Sequence, residues 1–353
     1  MGKDRFDVLE RFAPLFPAPE PSFERFLRRR ERKLRNQRIA AGVVAMMLFV
    51  VPAMLFAVLI TANRTRTPAA PGPSVPGVPE VDFVIDLNTG EMDPLPRAIL
   101  RSLGPDGARP FQSPGQYAAS PDGSRLAYVG TGDDGSPQIF IASIDGSGVR
   151  QVTQHPVGSL SPAWSPDGTR IAYVGNRPSL GGNLFVLDVA TGESTKITDE
   201  SAWGPQFTPD GSSLLYTVYS RVGGVEAAVL RIVPVTGGKG TPLFDPQARG
   251  FGYTGEGSLS PDGSLVTFMG HRLGGPGAIR FVANADGTDW RVVGSCISNP
   301  AGTWSPDGSR IVCGPNGPPP GIRVIDIATG QATSVAKGQV AIWLDGHRLL
   351  VSV

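Results

Sequence analysis

The residue types that most often carry chemistry are sparse in this chain of 353 residues. Its three histidines lie far apart in the sequence, at His155, His271 and His347. None has the closely spaced histidine, cysteine or carboxylate neighbours that a zinc site requires. The G-x-S-x-G motif of a nucleophilic serine and the Walker phosphate-binding loop are both missing from the sequence. We therefore predict no catalytic residue, no metal and no cofactor.

One acidic residue recurs at nearly regular intervals. The tetrapeptide Ser/Thr-Pro-Asp-Gly occurs five times, with its aspartate at Asp122, Asp167, Asp210, Asp262 and Asp307. In such a turn proline presets its own φ, glycine takes the left-handed position, and the hydroxyl can hydrogen-bond the backbone ahead. An aspartate that returns at the same turn in every unit is typical of a structural residue, so we do not assign these carboxylates to catalysis or metal binding.

The two cysteines of the chain, Cys296 and Cys313, form a candidate disulfide. Cys313 closes the second strand of a repeat unit, and Cys296 lies in the loop that enters the first strand of the same unit. Adjacent antiparallel strands make a bridge feasible, and two buried thiols are the alternative. If it forms, a bridge that closes a loop of about 17 residues stabilises the fold by roughly 3 kcal/mol.

The elements that position these residues are repeated. Each turn is followed by a short apolar strand, such as RLAYVG or RIAYVG, and later by a hairpin around a DG or TG pair. One unit is thus four short antiparallel strands, the content of a propeller blade. Residues 81–353 contain five complete units, each with a first hairpin at the Pro-Asp-Gly turn and a second at the DG or TG pair. Before these units stands a second hairpin without its first, and after them a first hairpin without its second. The sequence therefore predicts an all-β, six-bladed β-propeller whose last blade is closed by both chain ends.

Candidate binding residues follow from the connections between these strands. In a four-stranded meander the short, repetitive turns share one edge, and the long connections, which differ in every unit, share the other. Variable loops on a rigid scaffold are where binding specificity is usually found. We therefore predict a ligand-binding face that includes Asp133, Asp134, Arg177, Trp203, Arg221, Arg249, Tyr253, His271 and Arg272.

The pattern SPDG-R-hydrophobic-YVG resembles the WD-like repeat of the TolB β-propeller family over essentially all of residues 81–353. The resemblance implies a six-bladed propeller that binds proteins or ligands. TolB itself is a soluble periplasmic protein of an envelope complex. We do not expect the α/β domain that precedes the propeller in TolB, and the chain differs further in its apolar N-terminal segment.

Three segments are predicted before the propeller. Residues 39–62 contain 24 positions without a charge, enough for a transmembrane helix; a buried core helix and a cleaved signal peptide are the alternatives. Residues 1–38 form a basic tail with candidate helices and an excess of five positive charges, which predicts a cytoplasmic N-terminus and an extracytoplasmic propeller. Residues 63–80 contain five prolines and predict a semi-rigid stalk.

The expected function is non-enzymatic binding. The chain after residue 38 has an excess of four negative charges, so nucleic acid is not an expected partner. We expect a membrane-anchored, extracytoplasmic binding or sensor module for an envelope or extracellular protein or a small ligand. A cytoplasmic protein is a further candidate partner at the tail. The alternative is a propeller enzyme of the lactonase or glycan-cleaving type.

Overall fold

The computed structural model describes residues 82–103, 116–179, 181–222, 225–272, 279–294, 304–314 and 321–352. The chain divides into two compact units, Met1–Ser74 and Val75–Val353, and every described residue belongs to the second. This unit is almost entirely β-structure. Its one described helix, α1, spans Arg97–Ser102.

The described strands form five antiparallel sheets. The first contains β1 (Phe83–Asp86), β2 (Met92–Pro94), β21 (Val340–Trp343) and β22 (Arg348–Ser352). The second contains β3 (Tyr117–Ala119), β4 (Arg125–Thr131), β5 (Pro137–Ser143) and β6 (Arg150–Gln151). The third contains β7 (Ser159–Trp164), β8 (Arg170–Ser179), β9 (Gly181–Asp188), β10 (Ser194–Phe207), β11 (Ser213–Val222), β12 (Val225–Pro234) and β13 (Thr241–Pro242). The fourth contains β14 (Phe251–Leu259), β15 (Leu265–Arg272), β16 (Ile279–Asn284) and β17 (Arg291–Gly294), and the fifth contains β18 (Arg310–Cys313), β19 (Ile322–Asp326) and β20 (Ala332–Ala336).

The prediction of six four-stranded blades was wrong. Only three of the five sheets have four strands, whereas one has three and one has seven. The seven-stranded sheet arises because β10 is a single strand of 14 residues. Ala202 in this strand pairs with Gly182 of β9 on one side and with Val218 of β11 on the other. The outermost strand of one repeat therefore continues as the innermost strand of the next, and two repeats share one sheet.

The first sheet joins strands from opposite ends of the propeller unit. Its order is β2-β1-β22-β21, so β1 lies between its hairpin partner and the last strand of the unit. Phe83 pairs with Val351, and Asp86 pairs with Arg348. This pairing covers the strand edge that β1 would otherwise expose.

The five Pro-Asp-Gly turns lie at one edge of the unit, which we call the turn edge. In the first of these turns, Gly123 has a φ of 66° and its amide donates to Ser120 O at 2.8 Å. The Ser120 hydroxyl donates to Asp122 at 2.5 Å, and the amide of Ser124 donates to the same carboxylate at 3.1 Å. These hydrogen bonds lower the pKa of Asp122 to about 2. The carboxylate is thus part of the turn itself.

Arginine clamps connect neighbouring repeats at the turn edge. Arg125 donates from Nη2 to Gly168 O in the following turn at 3.0 Å, and its guanidinium lies 4.5 Å from the ring centroid of Trp164. The same two contacts recur for Arg170 with Gly211 and Phe207, and for Arg310 with Gly346 and Trp343. Two repeats lack the clamp because Ser213 and Leu265 take the place of the arginine.

The predicted transmembrane helix and helical tail are not found. Both fall in residues 1–62, outside the described ranges. Nowhere in the described ranges does a helix have the length and hydropathy that crossing a membrane requires. The predicted stalk, residues 63–80, also lies outside these ranges.

Candidate functional site

The opposite edge of the unit, which we call the variable edge, carries the predicted ligand-binding residues. Asp133 and Asp134 are exposed in the β4–β5 connection, where the Asp134 carboxylate accepts hydrogen bonds from Ser136 and closes a local turn. Arg249 is exposed in the turn before β14. The backbones of Arg177 and Arg221 belong to β8 and β11, so these two residues lie in strands and not in loops.

Four of the predicted residues also lie in strands, and two of these four converge on one tyrosine. Trp203 makes an edge-to-face contact with Tyr219, with ring centroids 6.0 Å apart. Tyr253, which lies in β14, hydrogen-bonds the hydroxyl of Tyr219. His271 pairs with Tyr253 across the β14–β15 ladder, and Arg272 stacks on Trp290 at 4.5 Å. The structure thus brings Trp203, Tyr253 and His271 to one part of the variable edge.

Glu256 lies at the centre of this group, although the sequence pattern did not single it out. Tyr219 Oη donates to Glu256 Oε1 at 3.4 Å, and the Glu256 amide donates to Thr217 Oγ1 at 2.8 Å. Arg280 donates from Nη1 to the Glu256 carbonyl at 3.3 Å and to Thr267 Oγ1 at 3.5 Å. We call Trp203, Tyr219, Tyr253, Glu256 and Arg280 the Glu256 cluster.

The backbone of Glu256 adopts a conformation that costs free energy. Its φ is 49°, in the left-handed region that non-glycine residues seldom occupy. The same bulge recurs on the innermost strands of the two preceding repeats, where the corresponding residues are Ser161 (φ 55°) and Gly204 (φ 52°). A long acidic side chain at this strained position is therefore specific to one repeat, which favours a functional role over a structural one.

Arg280 also differs in residue type from the equivalent positions of other repeats. Its β16 position pairs with Met269 in β15, and the equivalent pairings in other repeats place Ile139, Leu184 and Leu230 there. Each of those three side chains is buried and aliphatic, whereas Arg280 is a guanidinium that is only 1% exposed. Burying a cation is costly unless partners compensate for its lost hydration. Only the paired register of β15 and β16 reveals this substitution.

The electrostatics of the cluster follow from burial. Desolvation raises the pKa of Glu256 above its ordinary value, and the positive charge of Arg280 only partly offsets that effect. Desolvation also lowers the pKa of Arg280 to about 10, again opposed by the charge of the partner. Tyr219 has a raised pKa because it is buried beside Glu256 and Tyr253. Glu256 can therefore accept hydrogen bonds when ionised and hold a proton more readily than an exposed carboxylate can.

One polar atom beside the cluster has no hydrogen-bond partner among the described residues. The hydroxyl of Thr254 is fully buried and unsatisfied there. Its neighbour Gly255 allows a close approach, since a Cβ at Gly255 would lie 3.3 Å from Tyr253 Oη. Within the described ranges, no group of three or more side chains is arranged to hold a metal ion. The arrangement is suited to hydrogen bonding with a ligand that has both donor and acceptor atoms.

The predicted disulfide is described at one of its two residues. Cys313 is 1% exposed at the end of β18 and is disulfide-bonded. Cys296 lies outside the described ranges, so the Cys296–Cys313 pairing stays a prediction.

Sheets built from repeated hairpins, joined through both chain ends, define an all-β propeller. The model of the TolB β-propeller domain family matches residues 159–341, which is more than half of the sequence. The chain therefore belongs to the TolB β-propeller family. No curated protein matches the sequence.

Solved structures with a similar fold have varied activities. TolB from Acinetobacter baumannii is 17% identical with a TM-score of 0.50, and the match covers 77% of this chain and 63% of that one. Hydrazine synthase from Kuenenia stuttgartiensis is 16% identical with a TM-score of 0.53, and the match covers 77% of this chain and 43% of that one. An oligogalacturonate lyase in complex with manganese is 21% identical with a TM-score of 0.48, covering 72% and 71%. The chain thus spans less than two thirds of that TolB and of the synthase. Likeness at this identity establishes the fold alone.

Proposed function

We propose that this chain is a non-enzymatic binding module whose ligand, an envelope or extracellular protein or a small molecule, docks at the variable edge over the Glu256 cluster. The observation that carries the proposal is Arg280. The fold does not require a buried cation in a position that other repeats give to isoleucine or leucine, because aliphatic residues of similar size pack there without a desolvation cost.

The surroundings of Arg280 support the same conclusion. Glu256 places a long acidic side chain at a bulge position that the two preceding repeats give to serine and glycine, so the carboxylate is not needed to form the bulge. Trp203 and Tyr253 are half-buried aromatic residues that combine apolar area with a polar atom, and such residues are enriched in binding sites. A rigid propeller supplies the preorganisation that limits the entropy cost of binding.

Site-specific photo-crosslinking in cells tests the proposal for a protein ligand. We would place the same photoreactive amino acid at Tyr253, on the variable edge, and at Asp262, an exposed residue of the turn edge, in two versions of the full chain. The expected result is a discrete crosslinked product from position 253 that is absent from position 262. Equal products from both positions would contradict a ligand site at the Glu256 cluster.

A small ligand is tested by native mass spectrometry of the purified full chain. We expect a bound mass that is retained in the wild type and lost in the variant Arg280→Leu/Glu256→Gly, which gives the fourth repeat the residues of the third. Retention of the same mass in the variant would place the ligand elsewhere. Absence of both a bound mass and a position-specific crosslink would reject the proposal.

The alternative is a propeller enzyme of the lactonase or glycan-cleaving type, and one observation favours it. A carboxyl whose pKa is raised by burial is a candidate general acid, and Glu256 is such a group. Glu256→Gln separates the two functions, because the amide keeps the size and hydrogen-bonding capacity of the side chain but cannot transfer the proton. A binding module would retain ligand in this variant, whereas an enzyme would bind its substrate and lose turnover.

The location of the protein stays a proposal. The support is the uncharged stretch 39–62 next to the basic residues 1–38, which favours attachment to the cell membrane with the propeller outside the cytoplasm. Protease added to intact cells is expected to release the propeller by cutting within residues 63–80. A propeller protected until the cells are lysed would show that this placement is wrong.

A further inference from the structure

A tyrosine recurs at one position in three successive repeats, and its hydroxyl has a different partner each time. In the first repeat Tyr128 Oη lies 2.7 Å from Ser102 Oγ at the end of α1. In the third repeat Tyr216 donates to the Glu200 carboxylate, which also pairs with Arg231. In both repeats protein atoms close the space over the hydroxyl, since α1 lies over one and the backbone of Gly240 over the other.

The second repeat differs because a cleft lies over its tyrosine. Tyr173 Oη lies 2.7 Å from His155 Nε2, and it also hydrogen-bonds Ser194. Beside this pair is a cleft of about 360 Å³, which we call the His155 cleft. Its lining consists of Gln151, Val152, Thr153, Gln154, His155, Tyr173, Gly192 and Ser194.

The imidazole in the cleft is held from several sides. The amide of Gln138, only 2% exposed, donates from Nε2 to His155 O at 2.8 Å and accepts from His155 N at 3.2 Å. The ring packs on Phe185 with centroids 4.7 Å apart, and Gly175 leaves room for it, since a Cβ there would lie 3.2 Å from His155 Cδ2. The Gln138 amide holds the His155 backbone, and the contacts with Phe185 and Tyr173 hold the ring, so the imidazole is positioned before any ligand arrives, as binding sites require.

The chemistry of the lining selects the ligand class. The side chains that line the cleft are amides, hydroxyls, an imidazole and a valine, and none of them carries a carboxylate, ammonium or guanidinium. Amide and hydroxyl groups both donate and accept hydrogen bonds, so they match a ligand whose own groups do the same. A charged ligand would lose its hydration in the cleft and find no opposite charge in the lining.

We propose that the His155 cleft binds an uncharged, hydroxyl-rich ligand, a single pyranose unit of a glycan. Its volume is within the range of small-molecule sites and accommodates one sugar ring. The site belongs to the first and second repeats, and its residues are distinct from those of the Glu256 cluster. Binding here is therefore independent of the function proposed above.

Saturation-transfer NMR on the full chain tests this site with three neutral probes, methyl glucoside, methyl galactoside and N-acetylglucosamine. Ser194→Trp fills the mouth of the cleft, and His155→Phe keeps the ring packing but removes the imidazole hydrogen bonds. The matched control is Thr195→Trp, because Thr195 is also exposed and its side chain points to the other face of β10. Gln154→Ala, at an exposed residue of the lining, is a second variant that leaves the packing intact.

We expect at least one sugar to bind the wild type and Thr195→Trp equally. Its affinity should fall by a factor of ten or more in Ser194→Trp and His155→Phe, and measurably in Gln154→Ala. Arg280→Leu/Glu256→Gly should retain the sugar, which separates this site from the Glu256 cluster. No transfer to any of the three sugars, an unchanged signal in Ser194→Trp and Gln154→Ala, or displacement of the sugar by acetate or N-acetylglycinamide would each overturn the proposal.

Discussion

The turn edge and the variable edge differ in how far their residues recur from repeat to repeat. At the turn edge, every aspartate of the five Pro-Asp-Gly turns makes the same hydrogen bonds, and three arginines make the same clamp. At the variable edge, the residues that matter are exceptions: Arg280 replaces an aliphatic residue, and Glu256 replaces a serine or glycine. Residues that recur in successive repeats therefore stabilise the propeller. Residues that depart from the repeat pattern, such as Arg280 and Glu256, have a role other than stabilising the propeller.

The two edges also divide the repeats between them. The clamp arginines are missing where Ser213 and Leu265 stand, in the third and fourth repeats. The Glu256 cluster is built from these same two repeats, since Tyr219 lies in the third and Arg280 in the fourth. The third and fourth repeats, which lack the arginine clamp at the turn edge, thus carry the buried charges at the variable edge.

The largest effect is expected at the buried charges of the variable edge. Arg280→Leu leaves Glu256 without its compensating charge, so we expect a loss of about 3–5 kcal/mol in the free energy of unfolding. Arg280→Leu/Glu256→Gly restores the residue types of the third repeat and removes the strain at φ 49°, so it should be at least as stable as the wild type. Urea denaturation of the three proteins at neutral pH measures both values. A double variant as unstable as the single one would show that the cluster is structural.

A clamp at the turn edge is expected to contribute less. Arg170→Ala removes a charged hydrogen bond to Gly211 O and a stacking contact with Phe207, so it should cost about 2 kcal/mol. Arg150→Ala is a matched control, because Arg150 also donates to a backbone carbonyl but is exposed and stacks on no ring that the structure describes. We expect less than about half of that loss in the control. Equal losses would show that the clamp has no special weight.

Adding a clamp where one is missing should have a smaller, opposite effect. Leu265→Arg would place a guanidinium next to Trp304 and within reach of Gly308 O, the same pair of groups that Arg125 contacts in Trp164 and Gly168. We expect a gain of about 0.5–1 kcal/mol, reduced by the lost packing of Leu265. Leu265→Lys, which has no planar group to stack, serves as control. A gain from lysine equal to that from arginine would contradict the clamp geometry.

The smallest expected effect is the pH dependence of the free energy of unfolding, which should have opposite signs at the two edges. Hydrogen bonds from Ser260 and Ser264 lower the pKa of Asp262 to about 2, below its unfolded value of 3.8. Its contribution to stability is therefore present above pH 3.8 and lost as the pH falls through about 2. Asp262→Asn should be less stable than the wild type at neutral pH, and this difference should shrink in acid. Urea midpoints at several pH values measure the trend, and a difference that stays constant down to about pH 2 would contradict it.

Glu256 should show the opposite dependence on pH. Its folded-state pKa is raised, so its contribution is present at low pH and is lost as the pH rises through that pKa. Glu256→Gln, which mimics the protonated form, should therefore flatten the dependence above the ordinary carboxylate range. The turn aspartates would be unaffected by this substitution, which makes Asp262→Asn its natural control.

The repetitive part of the structure could be read from the sequence, and the exceptions could not. The positions of the turns, the strands that follow them and the pairing of the first and last hairpins depend on local turn chemistry and hydrophobic alternation, which each repeat states again. The number of separate sheets could not be read, because it depends on whether β10 continues through Ala202 or breaks there. That outcome is decided by hydrogen bonding between repeats, which no single repeat encodes.

The candidate site shows the same limit. Trp203 and Tyr253 were predicted because the sequence pattern assigns them to variable connections; the structure places them in β10 and β14 and brings both to Tyr219. Arg280 was missed because IRFV reads like IRVI in the next repeat, although strand pairing shifts the two arginines by one position. Arg323 pairs with Cys313, whereas Arg280 pairs with Met269. A one-residue difference in register moves a side chain from one face of a sheet to the other, and only the paired strands reveal it.

The sheet that joins β1 to β22 has a consequence for biosynthesis. On the ribosome, the hairpin of β1 and β2 emerges well before β22, and at ordinary translation rates the interval is on the order of tens of seconds. During that time the outer edge of Phe83–Asp86 is an unpaired strand that can associate with another nascent chain. The middle repeats can fold as they appear, but ring closure waits for Arg348–Ser352. A stop codon just before Arg348 would therefore yield a nearly full-length polypeptide that holds most of its repeats and is prone to aggregate through its first hairpin.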